Sequence, residues 1–269
     1  MIKKLQSIIY KISPVFAIAA ILIIWQVLSY SGAVPKFMLP SPKEVVKAFV
    51  GDFPLLMFHA KTTLAEAFLG LASGILLGFL VAVAMDRFEL AYKAIYPVLV
   101  ITQTIPTVAI APLLVLWLGY GILPKITLII ITSFFPITIG LLDGFRNVDK
   151  DSLNLLKAMG ATRLQSFVHI KFPGSIPHFF SGLRISVAYS IIGAVVAEWL
   201  GGFSGLGVYM TRVIKSYSFD KMFAVIFFIS FISLLLMSGV KLLQKWITPW
   251  DREEKEKEKA RTWGVKFIR

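Results

Sequence analysis

The sequence predicts an all-α integral membrane protein: six transmembrane helices, with a polar helical hairpin between the fourth and fifth. Three observations carry this. Of 269 residues, 57% are apolar and only 16% charged, whereas a soluble domain is close to half apolar and about a quarter charged. The apolar residues fall in long blocks, and about 20 such residues in a helix cross a bilayer. The longest polar interruption between two of these blocks, Asp149 to Pro177, is punctuated by helix start and stop residues.

The same composition excludes several chemistries. There is no cysteine, so there is no disulfide or thiol chemistry. His59, His169 and His178 show no metal-ligand spacing, and no clustered His, Asp or Glu suggests a catalytic residue or a metal. The net charge of +13 does not call for nucleic acid, because Lys and Arg collect on the cytoplasmic side of membrane proteins.

Taken in order, Met1 to Ser13 is a short basic start and Pro14 to Tyr30 the first span, expected to be retained rather than cleaved as a signal peptide. Ser31 to Lys61 is a polar connection. The prolines of Leu39-Pro40-Ser41-Pro42 extend it, and Lys43 to His59 reads as a short amphipathic helix interrupted by Pro54. Thr63 to Met85 is the second span. Gly70, Gly74, Gly78 and Ala82 recur every four residues, a strip of small side chains that lets another helix approach closely. Glu66, near the end of that span, is expected at the interface, and Asp86 to Lys93 is a charged turn.

Ala94 to Leu118 is the third span, broken at Gln103-Thr104-Ile105-Pro106-Thr107 and again at Pro112. Proline removes a backbone donor, and freed polar groups at membrane depth must meet protein or a water-filled cavity. Gln103, Thr104, Pro106 and Thr107 therefore fit a helix lining a pathway; a simple packing kink is the alternative. Ile126 to Phe145 is the fourth span after a short outside turn, Gly119 to Lys125. Its Ser133 joins the candidate pathway. His178 to Leu200 is the fifth span, and Glu198 near its far end precedes a glycine-rich turn, Gly201 to Gly207. Glu198 fits either part of an outer gate or a structural hydrogen bond to that backbone. Phe223 to Trp246 is the sixth span. Residues 1–250 thus form one membrane domain, and 251–269 a charged, solvated tail.

With both termini in the cytoplasm, inner segments hold 19 Lys and Arg residues and outer loops 8. This is the expected positive-inside bias. The first outer loop, with four lysines, fits it least well.

Within the hairpin, 149–177, Asp149 or Asp151 can cap a first short helix carrying Leu153, Leu156 and Met159. Gly160 can take the left-handed conformation that ends a helix. Thr162 and Gln165 form a capping-box pattern for a second helix, which Pro173 is expected to stop. The exposed tip is then Ala158, Met159, Gly160, Ala161, Thr162 and Arg163, and Leu164, Phe167 and Val168 continue as an apolar stripe. An amphipathic loop on the lipid headgroups is the alternative.

Gly160, nine residues, then Ile170-Lys171-Phe172-Pro173 resembles the "EAA" loop of binding-protein-dependent ABC importer permeases. Asn154-Leu155-Leu156 stands where Glu-Ala-Ala is usual. The Leu39-Pro40-Ser41-Pro42 entry, the glycine-rich second span and the Ala197 to Gly207 segment resemble the nitrate/sulfonate/taurine-type permeases. The run Gln103 to Pro112 resembles the branch linked to pyrimidine thiamine precursors. The resemblance implies a type I ABC importer permease fold. It implies two permease copies around one pathway, ATPase subunits docked on the hairpins at Leu156, Ala158 to Arg163 and Phe167, and an extracytoplasmic binding protein that delivers a small solute. ATP and Mg would be bound by the ATPase, leaving this chain without a cofactor. Consistently, it has no G-x-x-x-x-G-K-[S/T] phosphate loop. An ion-coupled secondary transporter is the competing reading, and would need paired intramembrane acids or inverted repeats.

Overall fold

The structure is a computed structural model. It describes residues 2–32, 34, 35 and 37–249, with side chains from residue 13 onward except 14. The expected tail, 251–269, lies outside them. All regular elements among the described residues are helical: α1 (Ile2–Tyr30), α2 (Pro42–Gly51), α3 (Phe53–Arg87), α4 (Glu89–Thr102), α5 (Thr107–Leu118), α6 (Leu123–Arg146), α7 (Lys150–Ala158), α8 (Arg163–Ser166), a π turn (Phe167–Lys171), α9 (Phe172–Gly201), α10 (Leu206–Lys215) and α11 (Phe219–Ile247).

Among the described residues four helices are long and apolar enough to cross a membrane: α3, α6, the run Arg163–Gly201, and α11. The pair α4 and α5 qualifies as one broken span, bent by 102°. The break falls at the Gln103–Pro106 segment expected from the sequence. Pro112 does not add a second break, because it lies inside α5. The apolar stretch Val15–Tyr30 is shorter than these.

Several boundaries differ from the sequence reading, and proline explains most of them. Pro54 does not interrupt a helix but sits in the first turn of α3, where its missing N–H would have had no helical partner anyway. The second span therefore starts at Phe53 and runs for 35 residues, about 50 Å. The charged turn expected at Asp86 to Lys93 shrinks to a single extended residue, Phe88. Pro173 does not stop the second hairpin helix either. Its ring cannot donate to the carbonyl four residues back. The chain widens by one residue instead: Phe172 N–H bonds to the Phe167 carbonyl, and the helix continues as α9. The hairpin is thus one short helix, α7, packed beside the first turns of a long one.

The core is the three-helix contact of α3, α6 and α9, with α10 and α11 against it. The small-residue strip of α3 does what its spacing suggests. Gly70 lies against Ile129, Gly74 against Ser133, and Gly78 against Ile137 and Thr138, while Ala82 is fully buried. The α6–α9 contact is closer still. A Cβ on Gly182 would lie 2.2 Å from the Pro136 carbonyl oxygen, and one on Gly140 2.8 Å from that of His178. These are backbone atoms with little room to yield. We expect Gly182→Ala to destabilise the protein by about 1–3 kcal/mol through overpacking, measured as a lowered unfolding temperature in detergent. Ser181→Ala, one residue away and exposed, should leave it unchanged.

Candidate functional site

Three places along the α6–α9 axis concentrate the polar residues. The first is beside the break between α4 and α5. The α4–α5 break presents Gln103 and Thr107 to a cavity of about 300 Å³ that also takes Thr132 of α6 and Tyr189 of α9. Gln103 and Tyr189 are shared with a second cavity of about 410 Å³, which runs on to Asp143, His178 and Ser181. The two form one groove along the α6–α9 face, between the levels of Ile131 and Asp143, about 18 Å of helix. Neither cavity is lined by Lys or Arg. The polar groups of the otherwise apolar lining are hydroxyls and the Gln103 amide, with the His178 imidazole and the Asp143 carboxylate toward the hairpin end.

Of the sequence-derived pathway residues, Gln103 and Thr107 line this groove. Pro106 caps α5 at the break. Thr104 turns its hydroxyl to the Ile101 carbonyl and lines neither cavity. Ser133 faces away: it is fully buried against Gly74 and donates to the Ile129 carbonyl. It sits one position past Thr132, and one residue of helix is a 100° rotation, enough to turn it from the groove to the α3 contact. Tyr189, Thr132 and Ser181 were not legible as site residues. Each is a single polar group in an apolar run, and only the α4–α5 bend shows which face is open.

The second place is the buried start of α10. A helix begins with N–H groups that have no helical partner. Here three are met by side chains of other helices. Gly205 N–H donates to His59 Nδ1 at 3.0 Å, Leu206 N–H to Thr63 Oγ1 at 2.8 Å, and Gly207 N–H to Glu198 Oε2 at 2.6 Å. Thr63 Oγ1 in turn donates to Glu198 Oε1 at 2.7 Å. Gly205 has φ +127°, and a Cβ there would fall 2.2 Å from the Glu198 carboxylate. Glu198 is thus a cap within the protein and lies outside the central groove. Beside it, Glu66 pairs with Lys125 at 2.5 Å, their side chains 4% and 7% exposed. The sequence placed Glu66 at an interface and Lys125 in an outside turn. Both are buried, because α6 begins at Leu123 and carries Lys125 inward against α3. Farther out, Asp52 accepts from Tyr209 Oη and pairs with Lys221, tying α10 and α11 to the α2–α3 joint. Partial burial works to raise the Asp52 carboxyl, but the bonds from Lys221 and Tyr209 outweigh it and hold it below the usual carboxylate range.

The third place is the hairpin. Asp149, rather than Asp151, caps α7, accepting from the Asp151 and Ser152 amides. The Ser152 hydroxyl, which also donates to this carboxylate, and then the two amides hold its carboxyl below the usual range. Gly160 has φ +83°, and the Ala161 N–H reaches back to the Leu156 carbonyl. Thr162 and Gln165 complete the capping box in both directions. Ala158, Met159, Gly160, Thr162, Arg163 and Leu164 are exposed, Met159 by 76% and Leu164 by 71%. Leu156 and Ala161 are half-buried. Phe167 is not part of the open tip: its ring packs 5.2 Å from Phe145, joining the hairpin to the core. Lys171, in the π turn, clamps both carboxylate oxygens of Asp86 at 2.7 and 2.8 Å, fixing the hairpin to the end of α3.

Residues 74–250 match the profile of the binding-protein-dependent transport system inner membrane component. The chain belongs to that family. It is 36% identical over 244 residues to the formylaminopyrimidine transport permease protein ThiX of Halalkalibacterium halodurans, covering 90% of this chain and 97% of the relative. It is 27% identical over 243 residues to the taurine transport system permease protein TauC of Escherichia coli, covering 88% of each. Its fold is similar to that in a crystal structure of an amino acid ABC transporter, with TM-score 0.59 and 17% identity, covering 77% of this chain and 97% of that one. The protein is a multi-pass membrane permease subunit of an ABC importer of small solutes, a family whose permease subunits are not catalytic. The ion-coupled alternative finds no support.

Removing Lys125 would strand the Glu66 carboxylate in the core. We expect Lys125→Met to destabilise the protein by about 3–5 kcal/mol, and the double variant Glu66→Leu/Lys125→Met to recover most of that. Unfolding curves in detergent would show both.

Proposed function

We propose that two copies of this permease enclose the Gln103–Tyr189 groove and move a small neutral heterocycle, of the formylaminopyrimidine class, into the cytoplasm. The observation that carries the substrate class is the groove lining. A nitrate or sulfonate route would call for cationic groups, and the two cavities carry no Lys or Arg; their polar groups are hydroxyls, the Gln103 amide, the His178 imidazole and the Asp143 carboxylate. Gln103, Thr107 and Tyr189 would offer hydrogen bonds and a ring face to a flat heterocycle. Transport of an anion such as a sulfonate is the second reading, favoured by the likeness to the taurine permease.

In this reading the chain has six spans, with α1 as the first. Both termini and the hairpin are cytoplasmic, and residues 1–250 form the single permease domain. An ATPase subunit docks on Leu156 and Ala158–Arg163, and binds and hydrolyses ATP with Mg. A binding protein delivers solute at the opposite end, where Glu198 secures α10. Met159 and Leu164, with Leu155 and Val168 on the same hairpin, are exposed apolar side chains, each able to contribute about 1.5–3 kcal/mol on full burial by a partner. Arg163 adds orientation. Phe167 and Lys171 link that contact to Phe145 and Asp86, so a push on the tip reaches α6 and α3. This rests on the exposed tip and its rigid caps.

In cells carrying the partner subunits, Gly160→Pro should abolish uptake of labelled formylaminopyrimidine while the protein still inserts in the membrane. Normal uptake together with normal ATPase co-purification would sink the docking role. Gln103→Ala/Thr107→Ala should cut pyrimidine uptake at least tenfold with ATPase association intact. Unchanged uptake kinetics, or equal import of taurine by the wild type, would count against the assigned groove and substrate.

A further inference from the structure

We propose that the cavity between the hairpin and the end of α3 receives acidic side chains of the ATPase subunit, held by Arg87, Lys157 and Arg163. The proposal deepens the docking reading above and rests on it. The cavity holds about 870 Å³, larger than either cavity of the central groove. Val83, Leu153, Leu164 and Phe167 supply its apolar lining. Asp86 is the one carboxylate in the lining, and Lys171 already clamps both of its oxygens, at 2.7 and 2.8 Å.

Arg87, Lys157 and Arg163 line the same cavity, and all three are exposed. Among the described residues no carboxylate pairs with any of them. The Arg87 guanidinium lies 5.4 Å from the centre of the Phe88 ring, a contact that orients the group and leaves its charge in place. The chain from Lys157 to Lys171 contains no Asp or Glu, so the hairpin cannot neutralise this face locally. A cation in the last turn of a helix is favourable by itself, which accounts for the local placement of Arg87 on α3 and Lys157 on α7. It does not account for Arg163, which opens α8 at the end where a cation is disfavoured, nor for the meeting of all three around one cavity.

The tip decides the occupant. Ala161, Thr162 and Arg163 belong both to this lining and to the tip on which the ATPase docks. A partner seated on the tip takes water from part of the lining. Burying a charge that has no counter-charge is strongly unfavourable, so a surface that fits here must bring carboxylates. Arg accepts a carboxylate through two parallel N–H bonds, and the two arginines stand on different elements, α3 and α8. An acidic segment that engages both gives the ATPase a direct hold on α3, beside the route through Phe167 and Lys171. Charge complementarity of this kind also sets the register and choice of partner.

The test measures binding of the importer's own ATPase subunits to the full-length permease in nanodiscs containing phosphatidylglycerol. Arg87→Gln/Lys157→Gln should weaken binding about tenfold, and Arg87→Glu/Lys157→Glu about 100-fold or more. Both variants should keep the fold, since the replaced side chains are exposed. Wild-type binding should weaken as salt is raised, and the Gln variant should lose most of that dependence. Carbodiimide coupling, which joins an amine to a carboxylate in contact, should link Lys157 to an Asp or Glu of the ATPase. Lys157→Arg should keep the binding and lose the link. Unchanged binding by the Glu variant, or a Lys157 that couples to no ATPase carboxylate, would overturn the proposal. Unchanged binding with loss of retained phosphatidylglycerol in the same variant would assign the cavity to a lipid headgroup instead. Met159→Asp reports on docking itself. If it releases the ATPase while the Glu variant does not, the tip docks the ATPase and the cavity does not take its acids; if neither variant changes binding, the docking reading falls as well. None of these readouts depends on transport or on the substrate.

Discussion

A helix that begins inside the protein must have its first amides met by something other than water. In this permease that constraint fixes the end of the molecule farthest from the hairpin. The N–H groups of Gly205, Leu206 and Gly207 are taken by His59, Thr63 and Glu198, which come from α3 and α9. Satisfying three donors therefore joins three helices. The α10 helix can be short and still be held, because its start is bonded and Tyr209 is bonded to Asp52. The carboxylate that looks like a gate in the sequence is occupied by this cap.

The same requirement shapes the other end. Pro173 and Pro177 deny α9 two backbone donors, and the chain answers with a π turn instead of a break. Because the helix is not broken, the segment that follows Gly160 is mechanically part of α9. Phe167 against Phe145 and Lys171 on Asp86 add lateral ties. Between the two ends, the glycines of α3, α6 and α9 bring the backbones so close that these helices have little freedom to slide. A groove on one face of α6 and α9, opened by the 102° bend of α4–α5, is the space left over.

Periodicity, composition and caps suffice for much of this. The blocks of apolar residues decide the membrane class, and the four-residue spacing of Gly70, Gly74, Gly78 and Ala82 decides which face of α3 meets another helix. Thr162 with Gln165, and Gly160, decide the local shape of the hairpin tip, because capping is a matter of neighbours three or four residues apart. The same local logic places the break at Gln103–Pro106. Where local signals compete with packing, the sequence is ambiguous. Pro54 could end a helix or begin one, and Pro173 could stop a helix or be bypassed.

What only the tertiary structure decides is which polar groups meet. Glu66 and Lys125 are 59 positions apart in the chain, as separate signals each reads as interfacial, and their pairing exists only because α3 and α6 lie side by side. Thr132 and Ser133 are neighbours with the same chemistry, yet one lines the groove and the other is sealed against Gly74. Helical rotation separates them, and only the placement of α3 and α5 says which direction is open. The sequence by itself determines the helices, their caps and their small-residue faces, since these depend on residues close in the chain. The burial of Glu198, the partner of Lys125 and the lining of the groove are decided by long-range contacts, whose energies no local pattern records.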